Sequence, residues 1–370
     1  MPRSVKSLFN PHHFKLGVFS SNCSGGLAIT KIPERWDNSW ENNLKMAHIA
    51  DEAGLDFLLP IARWIGYGGD TNFHGQVLET ITWAAGLLAH TQNIQVFSTS
   101  HTSCNHPVVL AKQVATMDHI GGGRVGLNVV CGWNRPEYEA LGQELPDDHE
   151  TRYRFGQEWI NIVQKLWQED SAFDYKGEWF NLKQTYSLPH PVQQRIPIFN
   201  AAGSKQGREF AVRNADFLFA TAIDLEKSRN DIQQLKHMAA AVNRTIGVLT
   251  LAFVVCRPTQ KEAEEYHRYY MAQADWGAVD NIIDIMFANA ESFPKDKIKQ
   301  MRSSMATGHG GFPLIGDADT VADGLEQLHK AGFAGTTVGF VDYNKELPFF
   351  CEEVLPRLER KGLRLPLHSV

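Results

Sequence analysis

The feature that most constrains this chain is an alternation. Short apolar runs of strand length are followed by longer segments of helical spacing, and the unit recurs eight times. Phe14–Phe19, Asp56–Ile61, Ile94–Ser100, Arg124–Val130, Pro197–Asn200, Phe217–Thr221, Ile246–Cys256 and Gly335–Val341 read as strands. Asn42–Ala53, Leu78–His90, Pro107–Ile120, Ser204–Arg213, Glu226–Val242, Lys261–Ala274 and Thr320–Ala331 read as helices, with Leu347–Arg360 closing the chain. A further long helix carries Phe155, Trp159, Ile162, Val163 and Leu166 on one stripe. Such alternation implies parallel strands joined by right-handed crossovers. Runs as continuously apolar as Val125–Val130 suit strands buried on both faces. Eight units favour an α/β fold of the (β/α)8 TIM-barrel type over a doubly wound sheet in two domains.

Two stretches break the rhythm and read as insertions. One lies around 171–195, where Gly177–Gln194 suggests a hairpin; the other spans 276–313, with short helices and a mobile Gly308-His309-Gly310-Gly311 loop. No linker rich in Pro, Gly or Ser separates the parts, so residues 1–370 read as one domain, and 43% hydrophobic residues are ample for its core.

Composition narrows the function. A formal net charge of -6, with both signs interspersed, gives no basic stripe for nucleic acid. Met1–Lys15 lacks the apolar core of a secretory signal and no apolar run is long enough to cross a membrane, so a cytoplasmic protein is expected. The five cysteines are scattered, and no histidine pair has H-E-x-x-H spacing, so neither a disulfide framework nor a metal site is expected. No Gly-x-Ser-x-Gly elbow is present, and Gly121-Gly122-Gly123 precedes a strand, the reverse of the dinucleotide arrangement.

In a barrel of this kind chemistry sits just past the strands. Gly203-Ser204 opens a helix after the fifth strand. It reads as a plain N-cap or as a phosphate cradle made of free amides and the helix dipole. Asn128 lies inside the apolar fourth strand, where a buried amide needs partners from the core or from a ligand edge bearing N–H and C=O groups. Thr99, near the end of the third strand, reaches the same space. Arg152 and Tyr153 are ordinary surface helix residues or anion contacts. His101 and His106 line a pocket or exchange protons, and Cys104 and Cys131 are wall residues or nucleophiles.

Several segments in combination resemble the bacterial luciferase-like flavin monooxygenases. They are Asn22–Leu27, Gly66-Tyr67-Gly68-Gly69, Ala111–Asp118, Gly121–Trp133, Leu314-Ile315-Gly316 and Val354-Leu355-Pro356. The likeness, from about Val18 to Leu358, is greatest to the dimethyl sulfone and then to the pyrimidine monooxygenase types. The resemblance implies reduced FMN (FMNH2) as cofactor, O2 as co-substrate, activated as a flavin (hydro)peroxide, and a separate NAD(P)H-dependent flavin reductase as partner. It also implies a small-molecule substrate and a homodimer or homotetramer. It places Asn128 against the flavin ring, Ala62 and Arg63 beside it by position, Glu137, Arg152 and Tyr153 as further FMN contacts, and Ser204 at the phosphate. Thr99 and Asn128 match the pair flanking the oxygen site, with His101 as a candidate acid or base, and 276–311 is expected to act as a lid. The third-strand loop Ser100–His106 is more polar than in the sulfone enzymes. That leaves open oxidative C–N cleavage of a heterocycle or amide, or a flavin or deazaflavin binder without oxygenase activity.

Overall fold

In the computed structural model, which describes residues 8–287 and 295–366, the eight apolar runs are the staves of a closed parallel barrel. Residues 1–7 of the polar N-terminus and 288–294 of the second expected insertion lie outside the described residues. The first half runs β1 (Lys15–Phe19), α1 (Trp40–Glu52), β2 (Phe57–Leu59), α2 (Thr80–His90), β3 (Gln95–His101), α3 (Pro107–Ile120) and β4 (Val125–Val130). There follow α4 (Arg135–Ala140), α5 (His149–Leu166), a hairpin of β5 (Phe173–Lys176) and β6 (Asn181–Thr185), then β7 (Ile198–Ala201) and α6 (Lys205–Asn214). The chain continues through β8 (Phe217–Phe219), α7 (Leu225–Ala240), β9 (Gly247–Cys256), α8 (Gln260–Ala272), α9 (Trp276–Phe287) and α10 (Lys295–Gly308). It ends with β10 (Phe312–Gly316), α11 (Ala318–Lys330), β11 (Gly335–Gly339), α12 (Tyr343–Glu353) and α13 (Leu355–Arg360). The ring is β1-β2-β3-β4-β7-β8-β9-β11, and it closes through Lys15–Val18 against Gly335–Val338.

The lower interior is filled by aromatic rings. Phe57, Phe97, Phe199 and Phe217 all point inward, with Phe97 stacked on Phe199 at 4.1 Å and edges of Phe57 and Phe217 on Phe199 at 5.3 and 5.2 Å. Room for them comes from glycines on neighbouring staves. A Cβ at Gly17 would sit 2.4 Å from Phe57, one at Gly126 2.3 Å from Phe97, and one at Gly247 2.6 Å from Phe217. Side chains two residues apart share a face of a strand. The next inward layer on β3 and β4 is therefore Thr99 and Asn128, above a dry floor.

Four expectations are corrected. β10 was not foreseen: it adds a ninth parallel strand along Ala252–Cys256 of β9, whose lower end, Gly247–Leu249, pairs with β8. The ten-residue β9 outruns three-residue β8, and β10, read from sequence as the end of an insertion, satisfies the backbone groups left over. The hairpin starts earlier than Gly177, at Phe173 opposite Thr185, and its turn is held by Glu158 on α5, which accepts the amides of Glu178, Trp179 and Phe180. The closing helix is two helices, with Pro356 in the first turn of α13. The glycines around His309 are not a loose loop: His309 and Gly310 close α10 through Met305 and Ser304 carbonyls, and a Cβ at Gly308 would meet Phe253 at 2.1 Å.

The aromatic floor makes Gly126 intolerant of side chains. Gly126→Ala is expected to lower the stability in urea unfolding by about 1–3 kcal/mol, as overpacking does. Adding Phe97→Leu to that variant is expected to recover part of the loss; additive losses would show that the ring and the glycine are not a fitted pair.

Candidate active site

Above the floor, strand register sets Thr99 directly beside Asn128. Pro60 ends β2 because it lacks an N–H. Its free carbonyl accepts the Thr99 hydroxyl at 2.6 Å, and Thr99 Oγ1 in turn accepts Asn128 Nδ2 at 3.2 Å. The relay fixes the carboxamide and turns its other end loose: Asn128 Oδ1 is buried with no hydrogen-bond partner among the described residues. An unpaired buried acceptor costs about 1–3 kcal/mol, so it marks a place where a ligand donor is favoured.

The loops after β2 and β4 meet over this point. Arg63 pairs with Glu137 of α4 at 2.8 Å, both side chains buried, and the same carboxylate oxygen accepts the Trp64 amide at 2.9 Å. The Arg63 guanidinium also lies over the rings of Tyr67 (4.6 Å) and Trp133 (5.4 Å). Arg63 Nε, Glu137 Oε2 and the Tyr67 hydroxyl are buried without partners among the described residues. Asn22, from the loop after β1, clamps the β2 loop by donating to the carbonyls of Ile61 and Leu78 and accepting the Ile61 amide. Ala62, beside Arg63, lines a cavity of about 210 Å³ together with His74, Val77 and Thr80.

Three imidazoles surround the Arg63 charge. His101 ends β3 and stacks with Tyr138 at 6.1 Å. His74 donates through Nε2 to the Gly26 carbonyl at 2.8 Å and faces His309 at 5.6 Å. Burial first, and the nearby guanidinium second, push His101 and His309 down to about 4. Burial, with His309 next, holds His74 well below the usual range. All three are neutral near pH 7, and each keeps a buried Nδ1 without a partner among the described residues.

Arg152 and Tyr153 open α5 and act on different neighbours. The Arg152 guanidinium donates to the carbonyls of Gly132, Asp147 and Asp148, tying the loop after β4 to the helix start. Gly132 has φ +104°, and a Cβ there would strike the Tyr138 hydroxyl at 2.3 Å, so the loop admits only glycine. Tyr153 leans on Phe210, and its hydroxyl lies against Gly207 and Ser204. Ser204 caps α6 by accepting the Gly207 amide at 3.1 Å, and Gly203 faces open space. The start of α6 is thus an accessible helix N-terminus flanked by two hydroxyls.

Thr99, Asn128, His101, Arg63 and Glu137 are therefore gathered at the mouth, Ala62 lies beside Arg63, and Arg152, Tyr153 and Ser204 stand towards α6. Arg152 donates to protein carbonyls, and Glu137 gives one oxygen to Arg63 and the Trp64 amide while its Oε2 stays without a partner among the described residues. Burial drives the Cys131 thiol up to about 12, which fits a wall residue rather than a nucleophile. Of the polar third-strand loop, Asn105 bonds Ser100 and receives Trp159, while His101 Nδ1 and the Thr102 hydroxyl are buried without partners among the described residues. Sequence reasoning missed His74, and it met Asn22 and Tyr67 only inside longer motifs. A lone histidine between Phe73 and Gly75 carries no periodic signal. No cluster of metal-binding side chains exists among the described residues.

The chain matches the family described as luciferase-like monooxygenase over residues 14–335. The FMNH2-dependent dimethylsulfone monooxygenase of Pseudomonas fluorescens is 28% identical over 348 residues, covering 92% of this chain and 93% of that protein. The pyrimidine monooxygenase RutA of Acinetobacter baylyi is 30% identical over 348 residues, covering 92% and 94%. Riboflavin lyase RcaE, crystallised with modified FMN and riboflavin, shares the fold with a TM-score of 0.85 at 20% identity, over 95% of this chain and 92% of its own.

The neutral histidines fix a pH dependence. Unfolded, each binds a proton near pH 6.5; folded, His101 and His309 do so only near 4. The unfolded chain therefore holds more protons between those values. Stability is full above about 6.5 and falls as pH drops towards 4. Replacing His309 by Gln is expected to flatten the slope of urea-unfolding free energy between pH 6 and 4.5 by about 1 kcal/mol per pH unit. An unchanged slope would mean that His309 is protonated in the folded protein.

Proposed function

Because this chain belongs to the luciferase-like monooxygenase family, we propose that it is an FMNH2-dependent two-component oxygenase acting on a small organosulfur compound of the sulfone type. A separate NAD(P)H-dependent flavin reductase supplies the FMNH2, in the cytoplasm, to a homodimer or homotetramer. The observation that carries the reading is Asn128: a carboxamide held by the Thr99–Pro60 relay, with its oxygen buried and unpaired at the barrel mouth.

The residues present fit reduced FMN. Asn128 Oδ1 would accept a ring N–H. Ser204, Tyr153 and the first amides of α6 would hold the phosphate, with Gly203 leaving room for it. Glu137 and Arg152 serve by position: one holds Arg63 and the loop carrying Ala62, the other the loop that leads from β4 into α4. When bound, reduced FMN supplies the electrons that cleave O2, one oxygen atom going to the substrate and the other to water.

The chain's own groups do the rest. The phenylalanine floor keeps water from the underside of the site. Thr99 and Asn128 fix where the reacting atoms stand. His101, neutral and with Nδ1 unpaired, can hold or release one proton at the pocket. That last group also supports a second reading, oxidative C–N cleavage of a polar heterocycle, since a ring with N–H and C=O edges would pair with it.

The test is oxygen uptake with FMNH2 supplied, across sulfones, amides and uracil-like rings, with oxygenated product identified. Uptake coupled to sulfone oxidation is expected; coupling only with the rings selects the second reading, and flavin binding without uptake leaves a carrier. Asn128→Ala is expected to lower turnover about 100-fold, in the range lost with an active-site hydrogen bond, while the thermal midpoint stays within a few degrees. Full activity in that variant overturns the assignment.

A further inference from the structure

The insertion between β9 and β10 grips the loop that follows β2 in two ways: an apolar cluster joins Tyr67 and Phe73 to Ala278, Val279 and Ile282, and one carboxylate reaches the loop directly. Asp275 immediately precedes α9 and is almost fully buried. Its Oδ1 accepts the Ala278 amide at 3.2 Å, an ordinary helix N-cap. Its Oδ2 does something a cap does not need: it accepts both the backbone amide (2.7 Å) and the hydroxyl (2.8 Å) of Thr71, more than two hundred residues away. The approach is close enough that a Cβ at Gly69, where φ is +72°, would lie 2.4 Å from Asp275 Oδ1 and 2.5 Å from the Ala278 amide. Further along α9, Asn281 donates to the Tyr67 carbonyl at 2.8 Å.

The held loop is internally rigid. Tyr67 and Phe73 are joined by a backbone hydrogen bond of 2.8 Å, and Gly68 is bonded to both Phe73 and the Asn72 side chain. Displacing Thr71 therefore moves Tyr67 and His74 with it. Both side chains stand at the mouth beside Arg63 of the same loop: Tyr67 lies under the guanidinium, and His74 faces His309 at the end of α10.

We infer that Asp275 is a positioning residue: its second carboxylate oxygen pins the loop after β2 to the insertion, so that Tyr67 and His74 complete the wall around Arg63. It touches neither substrate nor cofactor; it acts through Thr71. The consequence for turnover rests on the oxygenase reading above. A displaced wall admits water, and FMNH2 plus O2 then yields FMN plus H2O2 instead of oxygenated product.

The carboxylate separates its two duties chemically. Asp275→Asn keeps an acceptor for the Ala278 cap but turns an NH2 towards the two Thr71 donors. Thr71→Ser keeps both donors. Hydrogen exchange of the full chain, without flavin, is expected to show residues 66–75 exchanging at least tenfold faster in Asp275→Asn, with α11 unchanged, and wild-type rates in Thr71→Ser. With FMNH2 and substrate, product per FMNH2 oxidised is expected to fall at least fivefold in Asp275→Asn, H2O2 making up the balance, and to hold in Thr71→Ser. Unchanged exchange in 66–75 overturns the latch. Faster exchange with unchanged coupling overturns its role in the mouth. Faster exchange in α11 as well would reduce Asp275 to a stabilising cap and also overturn it. Absence of product from the wild type with every substrate class would instead count against the oxygenase reading, and the exchange result would still decide the latch.

Discussion

Everything at the functional end of this barrel depends on how its lower half is filled. Four phenylalanines packed into spaces left by three glycines make a closely packed apolar floor. Because a strand's side chains alternate, that floor dictates what comes next. Thr99 stands two residues above Phe97, and Asn128 two above Gly126. The first polar layer is thus placed at the carboxyl mouth by the size of the rings beneath it. A smaller set of side chains would have let polar groups pair lower in the barrel, or let water in.

Over that layer sits one fixed positive charge, Arg63, balanced by Glu137 and covered by aromatic rings. A buried ion pair returns little net stability, since desolvation offsets its attraction. Its effect here is to fix two loops and to set the field for the groups around it. The same burial and the same guanidinium keep three histidines uncharged. Several of the unpaired buried atoms lie here, among them Asn128 Oδ1, Arg63 Nε, Glu137 Oε2, Tyr67 Oη and the Nδ1 atoms of His74, His101 and His309. Each costs stability, and their convergence on one end of the barrel is the mark of a surface shaped for a ligand rather than for folding.

Much of this was legible in the residues. The eight barrel staves were, because a strand buried on both faces must be continuously apolar and the helices between them must carry one apolar stripe. Asn128 stood out because an amide has no business in such a strand without a partner. Ser204 was readable as a cap. Other elements were not readable, for identifiable reasons. β10 contains a proline and exists only because β9 is long enough to need it. The hairpin turn is fixed by Glu158, a residue of another element. His74 and His309 lie far apart in sequence and carry no periodic pattern, so only folding reveals that they face one another.

The sequence by itself determined the barrel, the identity of its staves and the presence of a polar residue in an otherwise apolar wall, because these follow from local propensity and from the period of side-chain burial. Tertiary structure alone decided which loop residues close over that wall. Contacts such as Arg63 with Glu137, or Thr71 with Asp275, join residues far apart in the chain. Their geometry is set by how loops settle on a finished barrel, and no local pattern encodes that.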